Sequence, residues 1–582
     1  MKLPLLFVVI FISSGLYAQL YVAPSKNSDS YLYVRDRVIF VKNELNLQEN
    51  REDETSASIY LRKDAQLVQG SENNLPNPGE GKISVYQKGT SNAYDYNYWS
   101  LPVRRNGSNS QLNDFIYEPM GKTKSRKSRL TNSLNGSSSP LTISRKWIYS
   151  FSGIDYSNWQ YAGENFDLLP GQGFTMKGVE GVNNSVIEGQ IINSGSAQVY
   201  DFRGIPNNGQ IDLPISKDQI LLVGNPYPST LNLDLFLTEN TATTGIAYFW
   251  DSGKDVNSHM LSDYEGGYGT YSPGASLYVP AIFQKYLEGK DTGNTGEVYG
   301  RKFSPIGQGF MVIGKENGKL FFGNNQRAYQ KEDKDLSQFK SPIRIIPSLK
   351  INVEMDSSYT RQLALAFRND STLKEDHAMD ARNLDAAISD ISWDIDGENF
   401  VINVLPAKEK DLIPLFISLN KATSLNISVS ELSNFNPDRI LIFDTKEDLY
   451  YGIKTGYFQM SLPAGDYRNR FYLTFVENLP AEEILKEGKK ISVSKPKNVL
   501  LNSIDIFQNN AEERLELKIL YSTDFSNIQL YDLNGKLIFR QNFKEKQKEY
   551  YLPTGKLSSS VYIVKVKTTD NKELTKKITV KN

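Results

Sequence analysis

The sequence predicts an all-β, multi-domain protein made of antiparallel β-sandwich modules, one region of which is internally duplicated. Three observations lead there. Short apolar runs alternate with polar residues along most of the 582-residue chain, and a period of two buries one face per strand. Tyrosine contributes 34 residues, Gly 41 and Pro 24, a composition of strands joined by turns. A segment also recurs: DLLPGQGFTMKG (Asp167 to Gly178) returns as FSPIGQGFMVIG (Phe303 to Gly314). Further anchors follow in the same order, YWSLPV (Tyr98 to Val103) against VGNPYPS (Val223 to Ser229) and WIYSF (Trp147 to Phe151) against AYFWD (Ala247 to Asp251), with spacings that put the differences in loops.

From the N-terminus, Lys2, the apolar run Leu3 to Ile12 and Leu16-Tyr17-Ala18 read as a signal peptide over 1–18, too short to span a bilayer. An N-terminal β segment follows over 19–84, with strand patterns in YLYVRDRVIFV and SASIYLRKDAQLV. The duplication divides the next stretch into repeat A, 85–195, and repeat B, 196–330. Within repeat B, STLNLDLFLTEN (Ser229 to Asn240) fits a helix capped by Ser229, with Leu231 and Leu235 one turn apart, although its leucines also alternate as in a strand. A charged linker, 331–345, precedes a β-sandwich domain over 346–477, whose many strand signals carry no long helix between them. A second linker, 478–501, leads to a terminal β domain over 502–582.

Charge and composition exclude several function classes. A net charge of −1 gives no global field for nucleic acid or an anionic membrane. With no cysteine there are no disulfides, thiolate nucleophiles or cysteine metal ligands. The two histidines, His259 and His377, fall in separate regions, and neither an HExxH nor a G-x-S-x-G pattern is present, so the sequence leans away from an enzyme. Glycoside hydrolysis needs only two carboxylates, and nothing singles out a pair among 67 acidic residues. No cofactor is expected, with calcium the one open case: Glu375, Asp376, His377, Asp380 and Asp385 cluster in sequence, as do Asp394, Asp396 and Glu398. Such acids equally cap turns or face water.

Two candidate contact sites remain. In YDYNYWSLPV, Tyr94, Tyr96 and Tyr98 share one face of an extended segment, either as a platform on which sugars stack or as half-buried sheet packing. In GKTKSRKSRLTNSLNGSSS, Lys122, Lys124, Arg126, Lys127 and Arg129 form a basic cluster, suited to a polyanion such as an acidic polysaccharide or glycolipid, or else a solvated loop. The segments Gly171-Gln172-Gly173 and Gly307-Gln308-Gly309 lack a third glycine and a following helix, so they read as glycine-rich strand entries rather than phosphate loops.

The last domain alternates in five runs, from Ile504/Ile506 to Ile578/Val580, with a hairpin signal at Asp532-Leu533-Asn534-Gly535-Lys536, and two such sheets face to face make an Ig-like sandwich. Its IQLYDLNGK, VYIVKVK and terminal KKITVKN resemble the C-terminal (type A) sorting domain of type IX secretion substrates, with Tyr531, Asp532, Gly535, Lys536, Tyr562, Lys577 and Val580 at the motif positions. The resemblance implies handling by the general secretory translocon and the type IX machinery, passage through the periplasm, and release or surface attachment, with surface glycolipid or polysaccharide as partners. Upstream, YNYWSLPV, LVGNPYPS, GQGF and the Asp376/Asp380 pair of EDHAMDA resemble large uncharacterised surface and secreted β-repeat proteins that carry this tail. The expected function is therefore an exported adhesive or structural protein, with a polysaccharide-binding or polysaccharide-degrading protein as the alternative; no membrane-spanning segment and no nucleic-acid partner are expected.

Overall fold

The computed structural model describes the chain except residues 1–19, 52–55, 71–75, 108, 182–183, 254–256, 286–290, 332–345, 358, 407–411, 476–503, 511, 520–524, 533–534, 543–548, 569–572 and 581–582. The expected signal peptide, the linker 478–501 and all but Lys331 of the charged linker thus lie outside the described residues. Two compact units are present, residues 1–479 and 480–582.

The fold is almost entirely β and most pairings are antiparallel, as expected. The N-terminal segment adds a parallel arrangement that the alternation alone does not reveal. Strands β1 (Leu20–Val22), β2 (Leu32–Arg35) and β3 (Val38–Val41) make one turn of a coil, β4 (Leu45–Leu47), β5 (Ala57–Arg62) and β6 (Gln66–Gln69) the next, and β7 (Lys82–Lys88) begins a third. Leu20 lies beside Leu45, Leu32 beside Ile59 and Val38 beside Gln66, all in parallel register, and Ile59 in turn lies beside Ile83. Parallel strands need long connections, and here the other sides of the coil serve as those connections. Val22, Leu45, Leu47, Leu61, Leu67, Ile83 and Val85 are buried in one core between the coil's sides.

The central region supplies β8 (Tyr96–Ser100), β9 (Tyr149–Gly153), β10 (Gly173–Lys177), β11 (Ile220–Gly224), the helix α1 (Leu233–Glu239), β12 (Ala247–Ser252) and β13 (Gly309–Ile313). Strands β8 and β10 pair with Ser100 opposite Gly173, and β11 and β13 pair with Gly224 opposite Gly309. The two pairs lock onto each other reciprocally. Ser100 donates its N–H to Gly307 O at 2.8 Å and Gly224 donates to Gly171 O at 3.0 Å, while Trp99 bridges Gln308 and Val223 bridges Gln172. Both Gly-Gln-Gly segments are strand entries: Gly171 and Gly307 adopt φ of 88° and 71°, the left-handed region that favours glycine. A Cβ on Gly173 would stand 2.7 Å from Leu222 Cγ, and one on Gly309 2.8 Å from the Tyr98 carbonyl carbon.

Helix α1 starts later than its sequence predicts. Thr230–Asn232 is a strand, paired with Phe303–Ser304 and Arg327–Ala328, so Asn232 rather than Ser229 caps the helix, its side chain accepting from Leu235 N–H at 3.3 Å. Leu233, Phe236 and Leu237 face the core, whereas Leu235 is exposed. Next to this strand, the buried Arg327 guanidinium donates to Leu67 O at 2.6 Å, Ser229 Oγ at 3.0 Å, Asn324 Oδ1 at 3.1 Å and Asn208 Oδ1 at 3.2 Å.

Residues from Ser348 onward form an 11-stranded sheet running from Leu449–Gly452 at one end to Tyr457–Leu462 at the other, antiparallel apart from Tyr359–Phe367 against Glu398–Leu405. Its apolar face shares one core with Phe151, Leu222, Tyr248, Met311 and Ile313 of the central region. In the second unit, sheets of three and four strands enclose Ile506, Leu515, Leu517, Ile528, Leu530, Leu552, Val564, Val566 and Val580.

Candidate functional site

A cleft of about 770 Å³ opens along β9, within the range of ligand sites. Its lining is Tyr96, Tyr98, Trp147, Tyr149, Phe151, Ile154, Asp155, Tyr156, Ser157, Trp159, Thr175, Ile220, Trp250, His259, Tyr264, Tyr268, Met311 and Leu384. Ten of these are Tyr, Trp or Phe, whereas aromatics make up 12% of the chain, so the enrichment belongs to the site. Alternation explains the placement: Tyr96 and Tyr98 project from one face of β8, Tyr149 and Phe151 from one face of β9, and Ile220 from β11.

The middle of the cleft is a ring cluster. Tyr98 stacks on Trp250 with centroids 6.4 Å apart and 12° between planes, and meets Trp159 edge-on at 6.1 Å. The Tyr98 and Tyr268 hydroxyls are hydrogen-bonded at 2.8 Å. Behind them Asp385 Oδ2 accepts from Tyr268 N–H at 2.8 Å, and burial pushes its carboxyl up to about 6 against the pull of Arg361.

At one end a buried lysine underlies the wall. Lys177 Nζ lies 3.8 Å from the Trp147 ring centroid, 4.6 Å from Tyr264 and 5.0 Å from Tyr96, and contacts His259 Nδ1 at 3.0 Å. Burial pushes this amine down to about 7, with Asp95 opposing. Burial first, and the Lys177 charge second, hold His259 below its usual value. His259 Nε2 meets Asn135 Oδ1, and its ring stacks on Trp147 at 5.1 Å. The opposite end is a loop tied to itself: Asp155 Oδ1 accepts from Ser157 N–H at 2.9 Å and Ser157 Oγ at 2.5 Å, and Asn158 Oδ1 accepts from Ile154 N–H at 2.8 Å. Among the described residues, Asp155 is the one carboxylate in the lining.

Of the tyrosine row, the structure brings Tyr96 and Tyr98 into the cleft, whereas Tyr94 packs on His259 at 4.7 Å and donates to Glu180 at 3.2 Å. The basic cluster lies elsewhere, partly within the short strands Ser125–Lys127 and Arg129–Thr131. Lys122 pairs with Glu188 at 3.2 Å, Arg126 with the buried Glu118 at 2.6 Å, and Lys127 with Asp114 at 2.6 Å; Lys124 and Arg129 are exposed. Sequence reasoning missed Trp147, Tyr149, Phe151, Trp159, Trp250, Tyr264, Tyr268, Lys177 and His259. The alternation of Trp147, Tyr149 and Phe151 was a usable signal, since it repeats that of the tyrosine row.

Several carboxylates of the acidic clusters are engaged within the protein. Glu375 pairs with Arg382 at 2.6 Å, Asp394 with Arg468 at 2.7 Å, and Asp380 accepts from Asp376 and Val404 N–H at 2.7 and 2.6 Å, its carboxyl pushed up to about 7 by burial. His377 contacts the Thr243 and Thr238 carbonyls at 3.0 and 3.2 Å. Among the described residues no group of three or more His, Asp or Glu side chains is disposed around a shared metal position.

Residues 27–475, which contain the whole cleft, match the model of a domain of unknown function (DUF8693). The chain belongs to that family. Beyond the family domain, residues 505–581 match the secretion system C-terminal sorting domain, so the protein is a type IX secretion substrate, secreted or displayed at the cell surface. In this tail Gly535 has φ of 81°, Asp532 N–H donates to Lys536 O at 3.0 Å, and Lys536 N–H donates to Asp532 Oδ1 at 2.9 Å, which closes the expected hairpin turn; Leu533 and Asn534 lie outside the described residues. Tyr531 and Tyr562 sit on adjacent strands, Tyr562 donating to Ser558 O at 3.0 Å, while Lys577 and the buried Val580 lie on the last strand. Among the described residues no helix is long and apolar enough to cross a membrane. No curated protein matches the chain. Among solved structures, a biofilm-associated protein BSP domain aligns at 9% identity over 86% of this chain and 96% of its own, with a TM-score of 0.13. Tp47, the 47-kilodalton lipoprotein of Treponema pallidum, aligns at 10% identity over 60% and 90%, with a TM-score of 0.11.

Proposed function

We propose that the family domain is an adhesive module that binds glycans in the aromatic cleft once the sorting domain has delivered it outside the cell. In this reading residues 1–18 are a signal peptide, the two interlocked strand pairs are products of the duplication over 85–195 and 196–330, and surface polysaccharide or glycolipid is the partner. The aromatic lining carries the proposal, because sugar rings present C–H faces that stack on Tyr and Trp while their hydroxyls reach polar groups at the rim. Binding without cleavage is favoured by the lining's carboxylate, Asp155, having no second acid beside it for two-carboxylate hydrolysis among the described residues. A glycan array probed with the mature protein tests this. The expected result is selective binding that Tyr96→Ala and Tyr98→Ala abolish while the denaturation midpoint stays measurable. Array-wide silence, or binding indifferent to both substitutions, overturns it.

A further inference from the structure

Tyr149 and Phe151 line the cleft along β9, with Trp147 just before the strand and Ile154, Asp155 and Tyr156 continuing it beyond the strand's end. At about 3.3 Å per residue the five residues of β9 alone run roughly 13 Å, longer than one pyranose ring. The lining is therefore a groove with two chemically different ends. One is the rigid wall over Lys177, where Tyr96, Trp147, Tyr264 and His259 are fixed by contact with its Nζ. The other is the self-bonded Asp155–Ser157 loop, with Ile154 70% and Tyr156 58% exposed at the rim. Exposed apolar side chains at the end of an aromatic groove extend the stacking surface past a single ring.

We infer that the groove reads an internal stretch of a linear polysaccharide, two or more residues laid along β9, rather than a single terminal sugar. This rests on the glycan reading above. A polypeptide fits the same groove poorly. One edge of β9 is taken by Trp159–Tyr161 over Tyr149 to Phe151 and the other by β11 over Ser152 and Gly153, so neither edge is open along the whole strand and an incoming peptide would leave part of its backbone unmet. A glycan chain brings no such backbone and distributes its hydroxyls along its edges, toward Asp155 and Ser157 at one end and toward solvent elsewhere.

The test is calorimetry of the full mature protein with oligomers of one to six residues, cut from whichever polysaccharide binds best on the array. Affinity should rise at least tenfold from one to three residues and then level off, and Tyr156→Ala, at a position 58% exposed at the rim, should weaken the longer oligomers about three- to tenfold and the monomer by much less. Equal affinity for monomer and hexamer, or a Tyr156→Ala effect of the same size on both, overturns the groove while leaving glycan binding intact. Failure of every oligomer and of the parent polymer to bind overturns both. Binding of unstructured peptides that no oligomer displaces also overturns it.

Discussion

The strand pairs β8/β10 and β11/β13 share one backbone plan and carry opposite chemistries. Counted from the Ser100–Gly173 and Gly224–Gly309 junctions, each has the same five-residue register. Their back faces agree: Trp99, Phe174 and Met176 enter one core, and Val223, Phe310 and Val312 occupy the same positions in another. Their front faces differ. Where the first pair has Tyr96, Tyr98, Thr175 and Lys177, the second has Ile220, Leu222, Met311 and Ile313. Leu222 and Ile313 of the second front are buried in the core shared with the 11-stranded sheet while Ile220 and Met311 also reach the cleft, and Tyr96, Tyr98 and Thr175 of the first front line the cleft with Lys177 buried beneath its wall. Framework and site are thus separable: the glycine junctions and back faces set the backbone, and four front positions decide whether it is packed or presented.

The contrast is broken most severely at Leu222. Leu222→Ala should cost about 2–5 kcal/mol in chemical denaturation, as a cavity in a shared core does; a loss below 1 kcal/mol means that the second front is not packed as described. Gly173→Ala and Gly309→Ala should each cost about 1–3 kcal/mol through overpacking against the partner pair, and a large difference between them would show that the junction is not reciprocal. Lys177 sharpens the comparison through pH. Burial pushes its folded amine down to about 7, well below the usual 10.5 of a solvated lysine, so between these the unfolded chain holds more protons and stability rises with pH, by no more than about 1.4 kcal/mol per pH unit; below about 7 both states are protonated and this contribution is flat. Lys177→Met, which imitates the apolar Ile313 position, should remove that slope from denaturation midpoints between pH 7.5 and 9. The smallest expected effect is that of Tyr98→Phe, which removes one hydroxyl contact with Tyr268 and should cost about 1 kcal/mol while preserving the stacked ring.

Much of the fold was legible because alternation writes buried faces directly into the sequence, as at Ile351, Val353, Leu363 and Leu365. The parallel coil was hidden because its partners, such as Leu20 and Leu45, are related by a turn of the coil, which leaves no mark in local periodicity. The start of α1 was misplaced because Thr230 and Leu231 have strand partners far along the chain, Ala328 and Arg327, and tertiary pairing overrides a local capping signal. At the site, Tyr96 and Tyr98 were readable from spacing alone. Lys177 was not, since a lysine in GFTMKG looks like an ordinary exposed strand end, and only the fold brings Trp147, Tyr264 and His259 around it.

The Arg327 lock has a consequence for the order in which the chain folds. The coil's strands find partners within one turn of the chain, so its pairings close short loops and can form while later residues are still emerging. Arg327 instead reaches back to Leu67, 260 residues earlier in sequence. Until that guanidinium arrives, the Leu67 carbonyl and the Asn208 amide lack a partner from it, and the junction of the N-terminal coil with the central region, begun by contacts such as Leu67 N–H to Pro228 O at 2.8 Å, is completed only when the end of that region has been made.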